Sequence, residues 1–225
     1  MYVFSEARKL KVNTALVGEY IPYPRILGKD LNYGTWDPYR HDFVDSNDTI
    51  LGNIGAQLYG FFAISRVNLY YQSKKAYSNE QIDAKKLSID PKYGLIMIHF
   101  AIPHEPGIYN QQWWNVSPKG YLKNLEYADQ GFGEIRKQME EHGMWENTTV
   151  LISSDHNYRK SKKIDGKKDR RIPFILKLAG QKQSIIYEPS FNTVLSKDLI
   201  LAILRQEVNT PSEVTKWIDL NHGSN

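Results

Sequence analysis

The chain has 225 residues, 41% of them hydrophobic and 12% aromatic, which excludes a disordered chain and indicates one domain or one large part of a domain. It contains no cysteine, which excludes a disulfide framework, a cysteine metal site and a cysteine nucleophile within these residues. The formal net charge is +4, and much of the positive excess lies between Lys160 and Arg171.

The first forty residues are predicted to form one helix, one short strand and a long loop. Val3 to Lys11 has the pattern of a short amphipathic helix and not of a signal peptide. A β-rich run follows at 14–17. Tyr20 to Arg40 is rich in Pro, Gly, Tyr and Asp, so we expect an extended loop there.

Two helices are predicted in the next fifty residues. One begins at Ser46 or Asn47 and reaches Phe62, and the other covers part of 74–90, with Asn79 as a candidate cap. No apolar run here or elsewhere reaches the roughly 18 residues of a membrane-spanning helix.

The second half alternates apolar runs with amphipathic stretches, which is typical of α/β proteins. The continuous apolar run at 94–100 suits a central strand that is buried on both faces. The remaining predicted elements are a helix at 118–142 ended by Gly143, strands at 148–153 and 172–178, and helices at 191–206 and 211–217.

These elements predict an α/β fold with a mixed, mostly parallel sheet flanked by helices. We expect one domain across 1–225. Within it, 1–92 is an irregular and helical lead-in, 93–206 is the α/β core, and 207–225 is a C-terminal helix and tail.

Polar residues follow two of the predicted strands, where functional residues collect in open α/β sheets. Asp155 and His156 come directly after the strand at 148–153, and His104 and Glu105 come after the strand at 94–100. An Asp and a His on one loop offer oxygen and nitrogen ligands for Zn²⁺ or Mn²⁺, or the His serves as a general acid. The alternative is a helix-capping Asp beside a surface His. His99, inside a strand, fits a hydrogen-bonded core histidine better than a ligand.

A basic segment follows the Asp155–His156 pair. Its cations, which face only Asp165 and Asp169, are Lys160, Lys162, Lys163, Lys167, Lys168, Arg170 and Arg171. Such a segment can bind anionic groups, and the alternative is a solvated loop. No recognition motif or base-stacking pattern accompanies it, so we expect no nucleic-acid partner.

Several motifs occur in an order that resembles the C-terminal half of the alkaline phosphatase superfamily, most closely its sulfatase and phosphoethanolamine- or glycerophosphate-transferase branch. The resemblance covers about 93–178 well and 14–28 more loosely. Its motifs are Ile102-Pro-His-Glu-Pro106, the helix Tyr121-Leu-Lys-Asn-Leu-Glu-Tyr-Ala-Asp129, the turn Gly143-Met-Trp-Glu-Asn-Thr148, Ser153-Ser-Asp-His-Asn157 and Arg171-Ile-Pro-Phe174.

The resemblance implies an enzyme that cleaves phosphate or sulfate esters with one or two divalent metals, such as Zn²⁺, Mn²⁺ or Ca²⁺. Asp155 and His156 match the family's late pair of metal ligands. His104 matches a residue that contacts the transferred anion or the leaving group, and it is the candidate catalytic residue. Candidates for holding an anionic oxygen of the substrate are Lys163, Lys168 and Arg171.

The chain also departs from the family pattern. Asn157 stands where the family has Gly, and because Asn tolerates the left-handed backbone we expect the turn to survive. No Cys/Ser-x-Pro-x-Arg segment and no Asp-Asp pair at the end of an early strand match the family's nucleophile region. We therefore expect an incomplete ligand set and a truncated, split or decayed domain that is inactive alone.

A sheet without its leading strands would expose an edge, which predicts self-association into a homo-oligomer. Relatives are often periplasmic or membrane-tethered, so the resemblance also implies a membrane-associated parent protein. The competing hypothesis is a non-catalytic relative that binds an anionic ligand or partner through the basic segment.

Overall fold

The computed structural model describes residues 2–19, 21–37, 49–52, 54–55, 63–100, 102–104 and 118–221. The helices in these ranges are α1 (Val3–Lys9), α2 (Tyr23–Leu27), α3 (Ala63–Ser88), α4 (Pro118–Glu141), α5 (Lys162–Asp165), α6 (Ser196–Leu204) and α7 (Pro211–Asn221). The strands are β1 (Thr14–Glu19), β2 (Tyr33–Asp37), β3 (Leu95–Ile98), β4 (Val150–Ser153) and β5 (Phe174–Lys177). Short 3₁₀ turns cover Gly28–Asp30 and Thr193–Leu195.

The described strands form two sheets. β2, β1 and β3 make a parallel sheet in that order, and β4 pairs with β5 in an antiparallel ribbon. Helices pack against the parallel sheet: α1 and α3 both contact β1. The predicted α/β class is confirmed. Two strands of the parallel sheet, β1 and β2, lie before residue 93, in the part of the chain expected to be an irregular and helical lead-in.

The central strand of the parallel sheet is β1, and the prediction that 94–100 forms the central strand is wrong. All six residues of β1 are buried, because strands lie on both sides of it and helices contact it. β3 is an outer strand of the described sheet and is partly exposed, with Met97 at 37% exposure. An apolar run therefore predicted the strand correctly but not its depth in the sheet.

The predicted extended loop from Tyr20 to Arg40 is also wrong. After Glu19 the chain forms α2, which has Pro22 at its N-cap and another proline, Pro24, in its first turn, where prolines are tolerated. It then enters β2, which is paired in parallel register with β1 from Ala15↔Tyr33 to Glu19↔Asp37. The backbone hydrogen bonds to β1 outweigh the local turn-like composition.

The helix expected within 74–90 is much longer than predicted, since α3 runs without interruption from Ala63 to Ser88. Asn79 therefore lies in the middle of the helix and is not a cap. The buried stripe of α3 mixes small apolar residues with polar ones, namely Ala76, Tyr77, Glu80, Gln81, Ala84, Leu87 and Ser88. Of the helix predicted to reach Phe62, residues 50–52 and 54–55 are helical and most others lie outside the described residues.

Two apolar clusters lie at the ends of the chain. Near the N-terminus, Phe4, Leu16 and Leu27 join α1, β1 and α2. Near the C-terminus, the cluster consists of Leu178, Leu199, Ala202, Val208, Val214 and Ile218. Since α1 also contacts α6, the two ends of the chain pack together. Among the described helices, none has the length and apolar character needed to cross a bilayer.

Candidate functional site

The loops after β3 and β4 meet, although the two strands belong to different sheets. The rings of His104 and His156 lie edge to face, with their centroids 6.3 Å apart and an interplanar angle of 81°. Oδ1 of Asp155 lies 4.0 Å from Nε2 of His156. The structure thus brings together the three predicted residues Asp155, His156 and His104, while Glu105 lies outside the described residues.

A tyrosine–histidine pair lies within electrostatic range of Asp155. The Tyr23 hydroxyl lies 2.9 Å from Nδ1 of His99, so His99 is hydrogen-bonded as expected of a core histidine. Burial raises the pKa of Tyr23, and the negative charge of Asp155 raises it further. Burial lowers the pKa of His99, whereas the Asp155 charge acts in the opposite direction. Asp155 is therefore close enough to act electrostatically on both side chains.

A buried carboxylate, Glu19, lies at the same edge of the parallel sheet and was not among the predicted site residues. It is the last residue of β1 and is 1% exposed. The His99 amide donates to the Val17 carbonyl at 2.9 Å, which places the ends of β1 and β3 side by side. The strand-end rule that selected Asp155 also applies to Glu19, which comes two residues after the strand predicted at 14–17 and could have been selected by the same signal.

The basic segment is an exposed loop with an internal ion pair. Arg171 Nη2 lies 2.7 Å from Asp169 Oδ2, and this bond to the arginine lowers the pKa of Asp169 to about 2. Lys163, on α5, and Lys168 are exposed to solvent. Arg171 is therefore paired with an acid of its own segment, whereas the Lys163 and Lys168 side chains lie at the surface.

Comparison with known proteins agrees with this architecture. The model of the Sulfatase family matches residues 32–206, which is well over half of the chain. The chain belongs to the sulfatase family. Neither a curated protein nor a solved structure matches it. The membership confirms the predicted placement in the alkaline phosphatase superfamily. The family consists of hydrolases that act on sulfate esters and generally use a divalent metal.

The described ranges hold no complete set of ligands for a divalent metal of the kind that the sulfatase family generally uses. There, no three His, Asp or Glu side chains converge to hold an ion. Asp155 and His156 offer the oxygen and nitrogen donors that Zn²⁺ and Mn²⁺ accept, but a typical zinc site has three or four protein ligands. The described residues therefore do not complete a metal site.

The loop that carries Asp155 and His156 is held by Asn157, although not in the way expected. The described non-glycine residues with positive φ are Lys11 and Gln206, so Asn157 does not adopt the left-handed backbone. Its Nδ2 instead donates to the Asp169 carbonyl at 2.9 Å, and His156 Nδ1 lies 2.8 Å from the Asn157 carbonyl. The Asn157 side-chain amide thus links the loop after β4 to the basic segment at Asp169, and a glycine has no side chain that could make this bond.

Proposed function

We propose that this chain supplies part of the active site of a sulfatase-family enzyme that hydrolyses, or transfers the acid group of, sulfate or phosphate esters. The observation that carries the proposal is the approach of His104 to His156, with ring centroids 6.3 Å apart, from loops that follow two different sheets. Convergence of polar groups from separate loops is typical of catalytic sites and uncommon for helix-capping residues.

Asp155 and His156 are the proposed ligands for a divalent cation, and a bound ion would neutralise negative charge on the ester. His104 is proposed to contact the transferred anion or the leaving group, where an imidazole can donate a hydrogen bond or a proton. Lys163 and Lys168 are proposed to attract the anionic substrate. Arg171 would have to exchange Asp169 for a substrate oxygen, since its guanidinium is already in a salt bridge.

We further propose that the chain binds the cation through an incomplete set of ligands that includes Asp155 and His156, and that it does not turn over substrate. The chain has no cysteine, and no segment matches the family's nucleophile region. A sulfatase-type reaction proceeds through nucleophilic attack on sulfur or phosphorus, so a site without that nucleophile lacks the group that forms the covalent intermediate.

The test combines calorimetric titration with Zn²⁺, Mn²⁺ or Ca²⁺ and assays of aryl sulfate and aryl phosphate hydrolysis. Asp155→Asn is compared with Asp165→Asn, a matched control at the end of α5 in the basic segment. We expect binding that is lost in Asp155→Asn and kept in Asp165→Asn, without turnover. Turnover by the unmodified chain that disappears in Asp155→Asn would refute the proposal that the chain is inactive alone. The absence of both metal binding and turnover in the unmodified chain would refute the assignment of Asp155.

A second candidate function, binding of an anionic ligand without catalysis, is favoured by the charge of the basic segment. Residues Arg159 to Arg171 include eight cations and two acids, a net charge of +6, so the other 212 residues carry a net −2. This function predicts salt-sensitive binding of tripolyphosphate that is weakened by Lys163→Gln with Lys168→Gln and kept in the control Lys216→Gln. Unchanged binding in the double variant would exclude it.

A further inference from the structure

We propose that one face of α4 positions both parts of the candidate site, with Tyr121 and Asn124 as positioning residues. This inference rests on the proposed function in that it concerns the same site. The Asn124 Nδ2 donates to the His104 carbonyl at 2.7 Å, and the Tyr121 ring stacks on the Tyr158 ring with centroids 3.8 Å apart and planes 13° apart. One helix therefore contacts the loop after β3 and the loop after β4.

The spacing of the two residues explains how a single helix does this. Residues three apart lie on the same face of an α-helix, about one turn apart. Asn124 is completely buried, and a buried amide is costly unless it is hydrogen-bonded, which ties the backbone at His104 to this face. Tyr121 lies one turn earlier and presents its ring to the second loop.

The loop after β4, which carries Tyr158, is also restrained by its own hydrogen bonds. Tyr158 follows His156 by two residues, so fixing its ring also restrains the Asp155–His156 segment. The Asn157 side chain lies 3.3 Å from the Tyr158 carbonyl and 2.9 Å from the Asp169 carbonyl. The Tyr158 backbone is thus held by its own loop, and its ring is held by α4.

The helix is needed because the sheets do not provide a common frame. β3 belongs to the parallel sheet and β4 to the antiparallel ribbon, and no described backbone ladder joins them. The separation of His104 and His156 therefore depends on contacts outside the ladders, and α4 supplies one to each loop. Because a misplacement of about 1 Å can cost an enzyme about a hundredfold in rate, such contacts matter for function.

The test measures the nuclear Overhauser effect between the ring protons of His104 and His156 in the full chain. We expect a cross-peak in the unmodified protein that is lost in Tyr121→Leu and in Asn124→Ala. Tyr121→Phe keeps the stacked ring and should retain the cross-peak, which is a rescue that a general loss of stability would not give. Lys123→Ala is the matched control, because Lys123 is exposed on the same helical turn and pairs with Glu126.

Circular dichroism establishes which variants fold. Should Asn124→Ala fail to fold, Tyr121→Leu decides alone, since Tyr121 is only half-buried. A cross-peak that persists in folded Tyr121→Leu would overturn the proposal. The measurement needs neither metal nor turnover. If the chain binds no metal but the cross-peaks of the unmodified protein and its variants are as expected, the proposed function is refuted and the positioning role of Tyr121 and Asn124 is still supported.

Discussion

Gly131 lies where α4 packs directly against the Tyr77 and Gln81 side chains of α3, and replacing it tests the packing of the two helices. A Cβ at residue 131 would lie well inside van der Waals contact with the Tyr77 hydroxyl and Gln81 Nε2, and 3.1 Å from Gln81 Cδ. Tyr77 is 2% exposed and Gln81 is 7% exposed, so neither side chain can move into solvent without uncovering the interface. Gly131→Ala must therefore displace buried groups.

The expected cost follows from the groups that would be displaced. Gln81 Nε2 lies 2.7 Å from the Tyr77 hydroxyl, which in turn lies 3.3 Å from the Tyr127 carbonyl. Overpacking a core costs about 1–3 kcal/mol, and each disrupted hydrogen bond costs about 1 kcal/mol more. Replacing Gly by Ala in a helix returns about 1 kcal/mol. With both hydrogen bonds disrupted, we expect Gly131→Ala to lower the free energy of unfolding by about 2–4 kcal/mol.

The assay is urea unfolding followed by circular dichroism, with Gly133→Ala as the matched control. Gly133 lies on the same helix, but nothing lies within 4 Å of a Cβ at that position. The control should therefore raise the free energy of unfolding by about 0.5–1 kcal/mol. If the two variants are equally stable, the close contact between α3 and α4 is not present in solution and the reasoning fails.

Three further outcomes are expected. The backbone amides of Asn209 and Thr210 hold the pKa of Glu213 below its usual value. The ionised Glu213 side chain therefore stabilises the fold above its unfolded pKa near 4.5, and this stabilisation is lost as the pH falls through the folded pKa. Glu213→Gln should reduce the dependence of the urea midpoint on pH between pH 7 and pH 3. Thr210→Ala removes the hydroxyl that accepts from the Glu213 amide and should cost about 1 kcal/mol in the same assay, and an unchanged midpoint would contradict the capping role. Lys177→Met leaves the backbone carbonyls of 145, 146 and 148 without their charged donor, and we expect a loss of about 2 kcal/mol by thermal unfolding, whereas an unchanged midpoint would show that these bonds do not contribute.

The elements that could be predicted from sequence are those with strong local signals. The helix predicted at 118–142 is found at Pro118–Glu141, and Gly143, with a φ of +69°, follows its end as a C-terminal glycine should. The strands predicted at 148–153 and 172–178 are found at Val150–Ser153 and Phe174–Lys177. In these cases apolar patterning and backbone-breaking residues agree with the final packing.

The elements that could not be predicted depend on partners far along the chain. β2 has three residues that favour strands, Tyr33, Thr35 and Trp36, but its glycine and aspartate and the Pro- and Gly-rich sequence before it favour a loop, and its pairing with β1 decides the outcome. The interior face of α3 carries Glu80 and Gln81, so its apolar periodicity was too weak to show the full helix. In both cases tertiary contacts override local propensity.

The candidate site shows the same division between what is local and what is not. The strand-end rule selected Asp155, His156 and His104 one loop at a time, and in the structure each of these residues does follow a strand. It cannot say that the two loops meet, because that rule assumes neighbouring strands of one sheet and here the strands belong to two sheets. The meeting depends instead on Tyr121 and Asn124, whose three-residue spacing is visible in the sequence but whose contacts are not. A helical motif that looks like a core stripe can thus be the part of the chain on which the geometry of the site depends.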